Sequence, residues 1–201
     1  VIAPDGSYVT YGYDDAHRLT QVQDNLGNRI VYTLDAMGNR TAETVSDPSG
    51  TLARKRQREY NNLNRLTKDI GGANPASEIT QYGYDTQGNL TTITDPLGKL
   101  TTQQFDALNR LIKTIEPAAS GAGAGGNIQY AYDGLDQLTQ VTDPRSLATT
   151  YTLDGLGRLT TQVSPDTGTT TKTFDAAGNV LTQTDARNVV ASFTYDALDR
   201  L

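Results

Sequence analysis

Aspartate is the residue in this chain that could carry acid–base chemistry, because it recurs at fixed places along the sequence. The 201 residues include one histidine, His17, and no cysteine. Two neighbouring Asp carboxyls could act as a general acid and a general base. A nucleophilic Ser–His or Cys–His site and a His- or Cys-rich metal site cannot be assembled from this inventory. A repeated Asp would also create one site in every repeat, so we expect no enzyme, no cofactor and no metal.

These aspartates belong to a phrase that occurs nine times. It consists of an aromatic residue or Leu, then Asp or Asn, two variable residues, a turn residue, a polar residue and a final residue that is usually Leu. The copies begin at Tyr13, Leu34, Tyr60, Tyr84, Phe105, Tyr132, Leu153, Phe174 and Tyr195, with a base period of 21 residues and three longer copies. A fixed period of this size indicates a repeat architecture, in which each unit buries its apolar face by stacking on its neighbours.

Two positions of the phrase have turn chemistry. The residue after the aromatic can accept a hydrogen bond from a backbone N–H two residues on; it is Asp14, Asp35, Asn61, Asp85, Asp106, Asp133, Asp154, Asp175 or Asp196. Three residues later stands a type that tolerates a positive φ: His17, Gly38, Asn64, Gly88, Asn109, Asp136, Gly157, Gly178 or Asp199. The phrase therefore predicts a strand, an Asx-stabilised turn and a second strand, and it accounts for His17 as a turn residue.

Alternating aromatic, Thr and β-branched residues flank each phrase, which is the pattern of β-strands. A second, weaker turn is predicted near the middle of the repeats, as at 95–98 (Asp-Pro-Leu-Gly). We therefore expect an all-β fold of eighteen strands, tandem strand–turn–strand units in one long antiparallel sheet. Its aromatic ladders are expected to be structural core rather than platforms for sugars or bases; their members are Tyr13, Tyr60, Tyr84, Phe105, Tyr132, Phe174 and Tyr195.

The bulk composition is consistent with a thin repeat sheet. Residues 1–201 are expected to form one continuous array, cut from a longer protein, with Gly- and Ala-rich loop insertions near 70–77 and 116–127. The net charge of -6 weighs against nucleic-acid binding. The basic cluster at 54–58 is explained by alternating outward positions of an exposed strand. No apolar run is long enough to cross a bilayer.

Two copies of the phrase, at 84–90 (YDTQGNL) and 153–159 (LDGLGRL), resemble the YD repeat of Rhs proteins. Similar repeats occur in the shell subunits of Tc toxins and in teneurins. The resemblance implies a sheet that spirals into a hollow shell around a C-terminal toxin domain. It also implies a secreted or cell-surface bacterial protein, delivered by a secretion system, whose partners are further repeats and the enclosed toxin. The alternative is an extracellular module that binds carbohydrate or a receptor.

Overall fold

The computed structural model describes residues 4, 6–72, 78–118 and 124–201. The described residues contain seventeen β-strands and no helix, which confirms the all-β prediction. The eighteenth predicted strand would begin at Leu201, the last residue of the sequence. Half of the two predicted loop insertions, residues 73–77 and 119–123, lies outside the described residues, and residues 116–117 and 124–127 of the second one belong to strands rather than to a loop.

The chain divides into two compact units, Val1–Thr101 and Thr102–Leu201. The first unit contains β1 (Val9–Tyr13), β2 (Leu19–Asp24), β3 (Arg29–Leu34), β4 (Arg40–Ser46), β5 (Leu52–Tyr60), β6 (Leu66–Ile70), β7 (Ile79–Tyr84) and β8 (Leu90–Thr94). Within it, each strand pairs with the next in antiparallel orientation. The prediction that residues 1–201 form one continuous array stays a prediction.

The second unit has the same plan. Its strands are β9 (Leu100–Phe105, which begins at the end of the first unit), β10 (Leu111–Pro117), β11 (Ala124–Tyr132), β12 (Leu138–Thr142), β13 (Ala148–Leu153), β14 (Leu159–Ser164), β15 (Gly168–Phe174), β16 (Val180–Thr184) and β17 (Val190–Ser192). Each again pairs antiparallel with the next. Sequential pairing of this kind needs only short connections, which the two turns of each repeat supply.

Every hairpin that is closed by a phrase and has both strands described contains a β-bulge beside its turn. Between β13 and β14, Thr152 pairs with Thr161 and Leu153 pairs with Leu159, so Thr160 has no opposite residue. The Thr160 hydroxyl donates to the carbonyl of Thr152 at 3.0 Å. Thr41, Thr67, Thr91 and Thr139 make the same bond across their own hairpins. This side-chain bond holds the bulge at a fixed position, and with it the register of the hairpin.

No residue that the structure describes is fully buried. Aromatic and β-branched side chains lie opposite each other on neighbouring strands, as in the pairs Tyr82–Ile93 and Tyr130–Val141. The aromatic residues expected to form a core are half-buried, and Tyr13 in the first hairpin is 59% exposed. A sheet one layer thick shields a side chain only through its neighbours in that layer. The contacts between adjacent hairpins therefore stabilise this fold, as a closed core stabilises a globular domain.

Candidate functional site: a ladder of turns

The turn that begins at Asp154 shows the geometry of the phrase. The Asp154 N–H donates to the carbonyl of Arg158, and the Gly157 N–H donates to the carbonyl of Asp154, both at 2.9 Å. One carboxylate oxygen of Asp154 accepts from the N–H groups of Leu156 (2.9 Å) and Arg158 (3.0 Å). The other oxygen accepts from Nε of Arg158 at 2.7 Å. This arrangement is a three-residue hairpin loop, with a type I turn followed by one residue in the left-handed region.

All nine phrases build this loop, and the nine turns are named the repeat turns. In each, the side chain of the opening Asp or Asn accepts from the N–H four residues on. The left-handed position has a φ between 57° and 102° in every turn. It is occupied by His17, Gly38, Asn64, Gly88, Asn109, Asp136, Gly157, Gly178 and Asp199. The residue types singled out in the sequence therefore share one local geometry.

The hydrogen bonds lower the pKa of most of the opening carboxyls. For Asp154, the N–H of Arg158 is the largest cause of the lowered pKa. For Asp35, the side-chain amide of Asn39 is the largest cause. The pKa is also lowered for Asp14, Asp85, Asp106, Asp175 and Asp196. A general acid needs a raised pKa to hold its proton near neutral pH, whereas these carboxylates are held ionised as hydrogen-bond acceptors.

The residue after the left-handed position connects one repeat turn to the next. Nη1 of Arg158 donates to the carbonyl of Asp175 at 3.1 Å, and Nη1 of Arg110 donates to the carbonyl of Asp133 at 3.2 Å. Arg18 and Arg65 reach the next turn in the same way. Where the residue is Asn, as at Asn39 and Asn179, its side-chain amide donates to Asn64 or Asp199 in the next turn. The sequence showed this position only as polar, because its partner lies in another repeat.

The aromatic that begins a phrase is held by the preceding repeat. The Tyr132 hydroxyl donates to the carbonyl of Leu111 at 2.8 Å, and the guanidinium of Arg110 lies 4.9 Å from the centre of the Tyr132 ring. The hydroxyl bond recurs at Tyr60, Tyr84 and Tyr195. The guanidinium contact recurs at Tyr84 and Phe174. Tyr84 and Tyr132 have partners both on a ring face and at the hydroxyl, and Tyr60, Tyr195 and Phe174 have one of the two, which disfavours a role as platforms for sugars or bases.

The repeat turn that begins with Asn61 contains one unsatisfied donor. Oδ1 of Asn61 accepts hydrogen bonds from the N–H groups of Leu63 and Arg65, each at 3.0 Å. That leaves an NH₂ group where the other turns present a second carboxylate oxygen. Nε of Arg65 is buried and has no hydrogen-bond partner. Because Asn61 stands where the other repeat turns have Asp, Nε of Arg65 lacks the carboxylate oxygen that would accept its hydrogen bond.

The opposite end of the hairpins uses the same loop. The mid-repeat turns that begin at Asp24, Asp47, Asp95, Asp143 and Asp185 repeat both backbone hydrogen bonds. In each, a carboxylate oxygen accepts the N–H four residues on. The left-handed position holds Gly, Asn188 or Ser146. The sequence predicted a tight turn at these places. The structure shows that its backbone and carboxylate hydrogen bonds are those of the repeat turns.

Two of the four basic residues in the cluster at 54–58 form ion pairs with acidic residues of neighbouring strands. Arg54 pairs with Glu43, and Arg56 pairs with Asp69. Within the described ranges, no group of three or more His, Cys, Asp or Glu residues could hold a metal ion. No helix in that part of the chain has the length and apolarity to span a membrane.

Comparison with known proteins identifies the repeat. The model of the RHS Repeat family matches residues 1–29, 60–100, 84–120, 123–169 and 174–201, well over half of the chain. No curated protein matches the chain at a significant level. The sequence-based identification of the phrase as an Rhs-type repeat is thereby confirmed.

Solved structures of Tc toxin complexes share the fold. A Tc holotoxin pore of Photorhabdus luminescens, with a mutation in TccC3, has a TM-score of 0.61 at 15% identity. TcdB2–TccC3 without its hypervariable C-terminal region has a TM-score of 0.57 at 14% identity. Each alignment covers 94% of this chain but only 13% and 12% of the solved chains. The chain thus corresponds to about an eighth of their length.

Proposed function

Because the chain belongs to the RHS repeat family, we propose that it is a structural wall segment of a hollow shell that encloses a C-terminal toxin domain. That domain lies outside the 201 residues. The wall would separate the toxin from the producing cell and from proteases until delivery. Its partners would be further repeats of the parent protein and the enclosed domain, and its place would be outside the producing cell, reached through a secretion system.

The turn-to-turn ladder is the observation that carries this proposal. Neighbouring hairpins are joined by the strand ladder, by the Arg or Asn bridge and by the tyrosine hydroxyl bond. The bridge recurs in six repeat turns and the hydroxyl bond at four tyrosines, always in the same form, so the array can be extended without a new kind of interface. A wall requires this property, whereas a catalytic site requires one unique constellation of residues.

The size of the array supports a share in a wall rather than a complete container. Seventeen strands about 4.8 Å apart would make a ribbon about 82 Å wide. Closed into a ring, that ribbon would measure about 26 Å across from backbone to backbone. A folded domain of 100 residues has a radius of gyration of about 13 Å and would not fit inside. Similar repeats of the parent protein would have to complete the enclosure.

Limited proteolysis of the parent protein tests the proposal. We expect its C-terminal domain to survive a protease dose that degrades the same domain expressed alone, with intact mass used to identify the surviving fragment. The control is a mixture of the separate domain and the 201-residue array, which should give no protection. Equal digestion of the domain in the parent and in isolation would refute enclosure.

A further inference from the structure

The first half of β5 has no strand beside it on the side of β6. β5 pairs with β4 from Leu52 onward, but its pairing with β6 begins only at Gln57, opposite Ile70. The five residues Leu52–Arg56 are all exposed. The hairpin of β4 and β5 therefore presents a free strand edge about 17 Å long inside the first unit, and such an edge is a template for another strand.

Lys55 directs its backbone N–H and carbonyl to this free edge. The carbonyl of Glu59 faces β6, where it accepts from the Thr67 hydroxyl at 3.1 Å. Successive residues of an antiparallel strand direct these groups to opposite sides, so Gln57 and Lys55 face the same way as Glu59. Gln57 has Ile70 opposite, whereas no residue of the described ranges lies opposite Lys55 on that side or bonds to its backbone there. The edge therefore offers an unused donor and an unused acceptor.

A cavity of about 310 Å³ lies where β6 would continue along this edge. Leu52, Ala53 and Ile70 give it apolar walls, and Lys55 and Gly72 also line it. Unlike the two paired arginines of the cluster at 54–58, the Lys55 ammonium has no ion-pair partner in the part of the chain that the structure describes. Apolar walls beside an unpaired cation indicate a ligand that has both small apolar groups and a negative charge.

The turn between β4 and β5 stands apart from the turn that follows it along the chain. A Cβ atom added at Gly27 would lie 3.2 Å from Pro48 of the next mid-repeat turn. β11 extends past β12 as β5 extends past β6, yet a Cβ atom at Gly126 would collide with Pro144 of the following turn. One added at Gly50 would meet no described atom within 4 Å. The following turn thus closes off the extension of β11 and leaves that of β5 open.

We propose that the free edge of β5, residues 52–56, binds an extended acidic peptide of a partner protein as an additional antiparallel strand. Main-chain hydrogen bonds to the edge supply affinity in this mode of recognition, and side-chain contacts supply specificity. The peptide residue opposite Lys55 has its side chain on the same face of the sheet, where an opposite charge is favourable. The peptide side chain two residues away lies on that face as well, and a small apolar one fits beside Ala53 in the cavity.

Backbone hydrogen exchange of the 201-residue chain, followed by NMR, tests the edge. In the free chain, the N–H of Lys55 should exchange rapidly, while those of Arg54 and Arg56, which face β4, stay protected. A capped synthetic peptide of alternating Val and Glu should protect the Lys55 N–H at saturation. Protection of that N–H in the free chain would overturn the proposal, because residues 73–77 or a second copy would then already occupy the edge.

N-methylation of the peptide separates strand addition from attraction between charges alone. Methyl groups on alternate residues remove the N–H groups along one side of an extended strand. Of the two peptides methylated on opposite sides, one should therefore lose its affinity and the other should keep it. Equal affinity of the two methylated peptides would overturn the proposal.

Charge reversal at Lys55 tests the acidic character of the partner. Lys55→Glu should weaken binding of the Val–Glu peptide about tenfold and strengthen binding of a Val–Lys peptide. Lys99→Glu, at an exposed mid-repeat turn, is the matched control and should leave both affinities unchanged. A wild-type chain that binds neither peptide, or both equally, would overturn the proposal. The inference does not depend on enclosure of a toxin, because a free strand edge binds a peptide whether or not the array surrounds a domain.

Discussion

At the residue scale, one acceptor side chain organises each turn. Asp154 accepts two backbone N–H groups with one oxygen and a guanidinium N–H with the other. Asn61 reproduces the first part and cannot reproduce the second, which leaves Nε of Arg65 without a partner. The turn that has Asn61 in place of Asp therefore separates the turn-forming role of the side chain from its arginine-binding role.

Asn61→Asp should stabilise the array. The new carboxylate oxygen would accept the buried Nε of Arg65 and remove a desolvation penalty, for a gain of about 1 kcal/mol in the free energy of unfolding. Urea denaturation followed by circular dichroism measures the change. Asp154→Asn is the matched control in the opposite direction, because it should orphan Nε of Arg158 and lower the midpoint. A destabilised Asn61→Asp would contradict this reading of the turn.

Gly155 and Gly157 lie in one turn but should respond differently to alanine. Gly157 has a φ of 77°, where a Cβ costs about 1–2 kcal/mol, so Gly157→Ala should destabilise the fold by about that amount. Gly155 lies outside the left-handed region, and a Cβ there meets open space. Gly155→Ala should therefore be neutral or stabilising by up to about 1 kcal/mol. Equal unfolding midpoints for the two variants would refute the difference.

At the element scale, the hairpin is set by local sequence, and the coupling between hairpins is not. Asp106 and Asn109 predict their turn from the sequence, because the hydrogen bonds of a turn join residues at most four positions apart. The reach of Arg110 to Asp133 and Asp136 spans 23 and 26 residues, so no local pattern shows it. Thr160 is similar, since its bond to Thr152 appears only once the bulge is known. Whether the aromatic residues form a buried core also depends on whether a second layer covers the sheet, and the alternation of residues along a strand does not reveal this.

Tyr132→Phe should weaken the coupling between two hairpins. It removes the hydroxyl bond to the carbonyl of Leu111 and keeps the ring beneath Arg110, for an expected loss of about 1 kcal/mol in stability. Tyr132→Leu should cost about 0.5–1 kcal/mol more, because the cation–π contact is lost as well. Tyr130→Phe is the control on the same strand, since the Tyr130 hydroxyl has no hydrogen-bond partner among the described residues. Equal urea midpoints for Tyr132→Phe and Tyr130→Phe would contradict the role given to the hydroxyl.

At the scale of the whole molecule, the repeated carboxylates make stability depend on acid. The pKa of Asp35, Asp154 and five equivalent aspartates is lowered in the folded chain, against an ordinary value of 3.8. Their contribution is therefore complete above that value and is lost as the pH falls through the lower folded pKa. The urea midpoint should be flat near neutral pH and fall steeply in acid. Asp35→Asn should show a smaller fall, and an unchanged midpoint from neutral pH into strong acid would contradict the effect.

The central claim is that coupled hairpins form a protective wall. Its most direct test is to weaken that coupling in the parent protein and to measure how well the C-terminal domain is still protected. The parent carrying Arg110→Ala/Tyr132→Leu lacks two links between neighbouring repeat turns but keeps the turns themselves. We predict that a protease degrades its C-terminal domain faster than the same domain in the wild-type parent, while the parent carrying Tyr130→Phe remains protected. A domain equally resistant in all three proteins, or digested at the rate of the free domain in each, would contradict the claim.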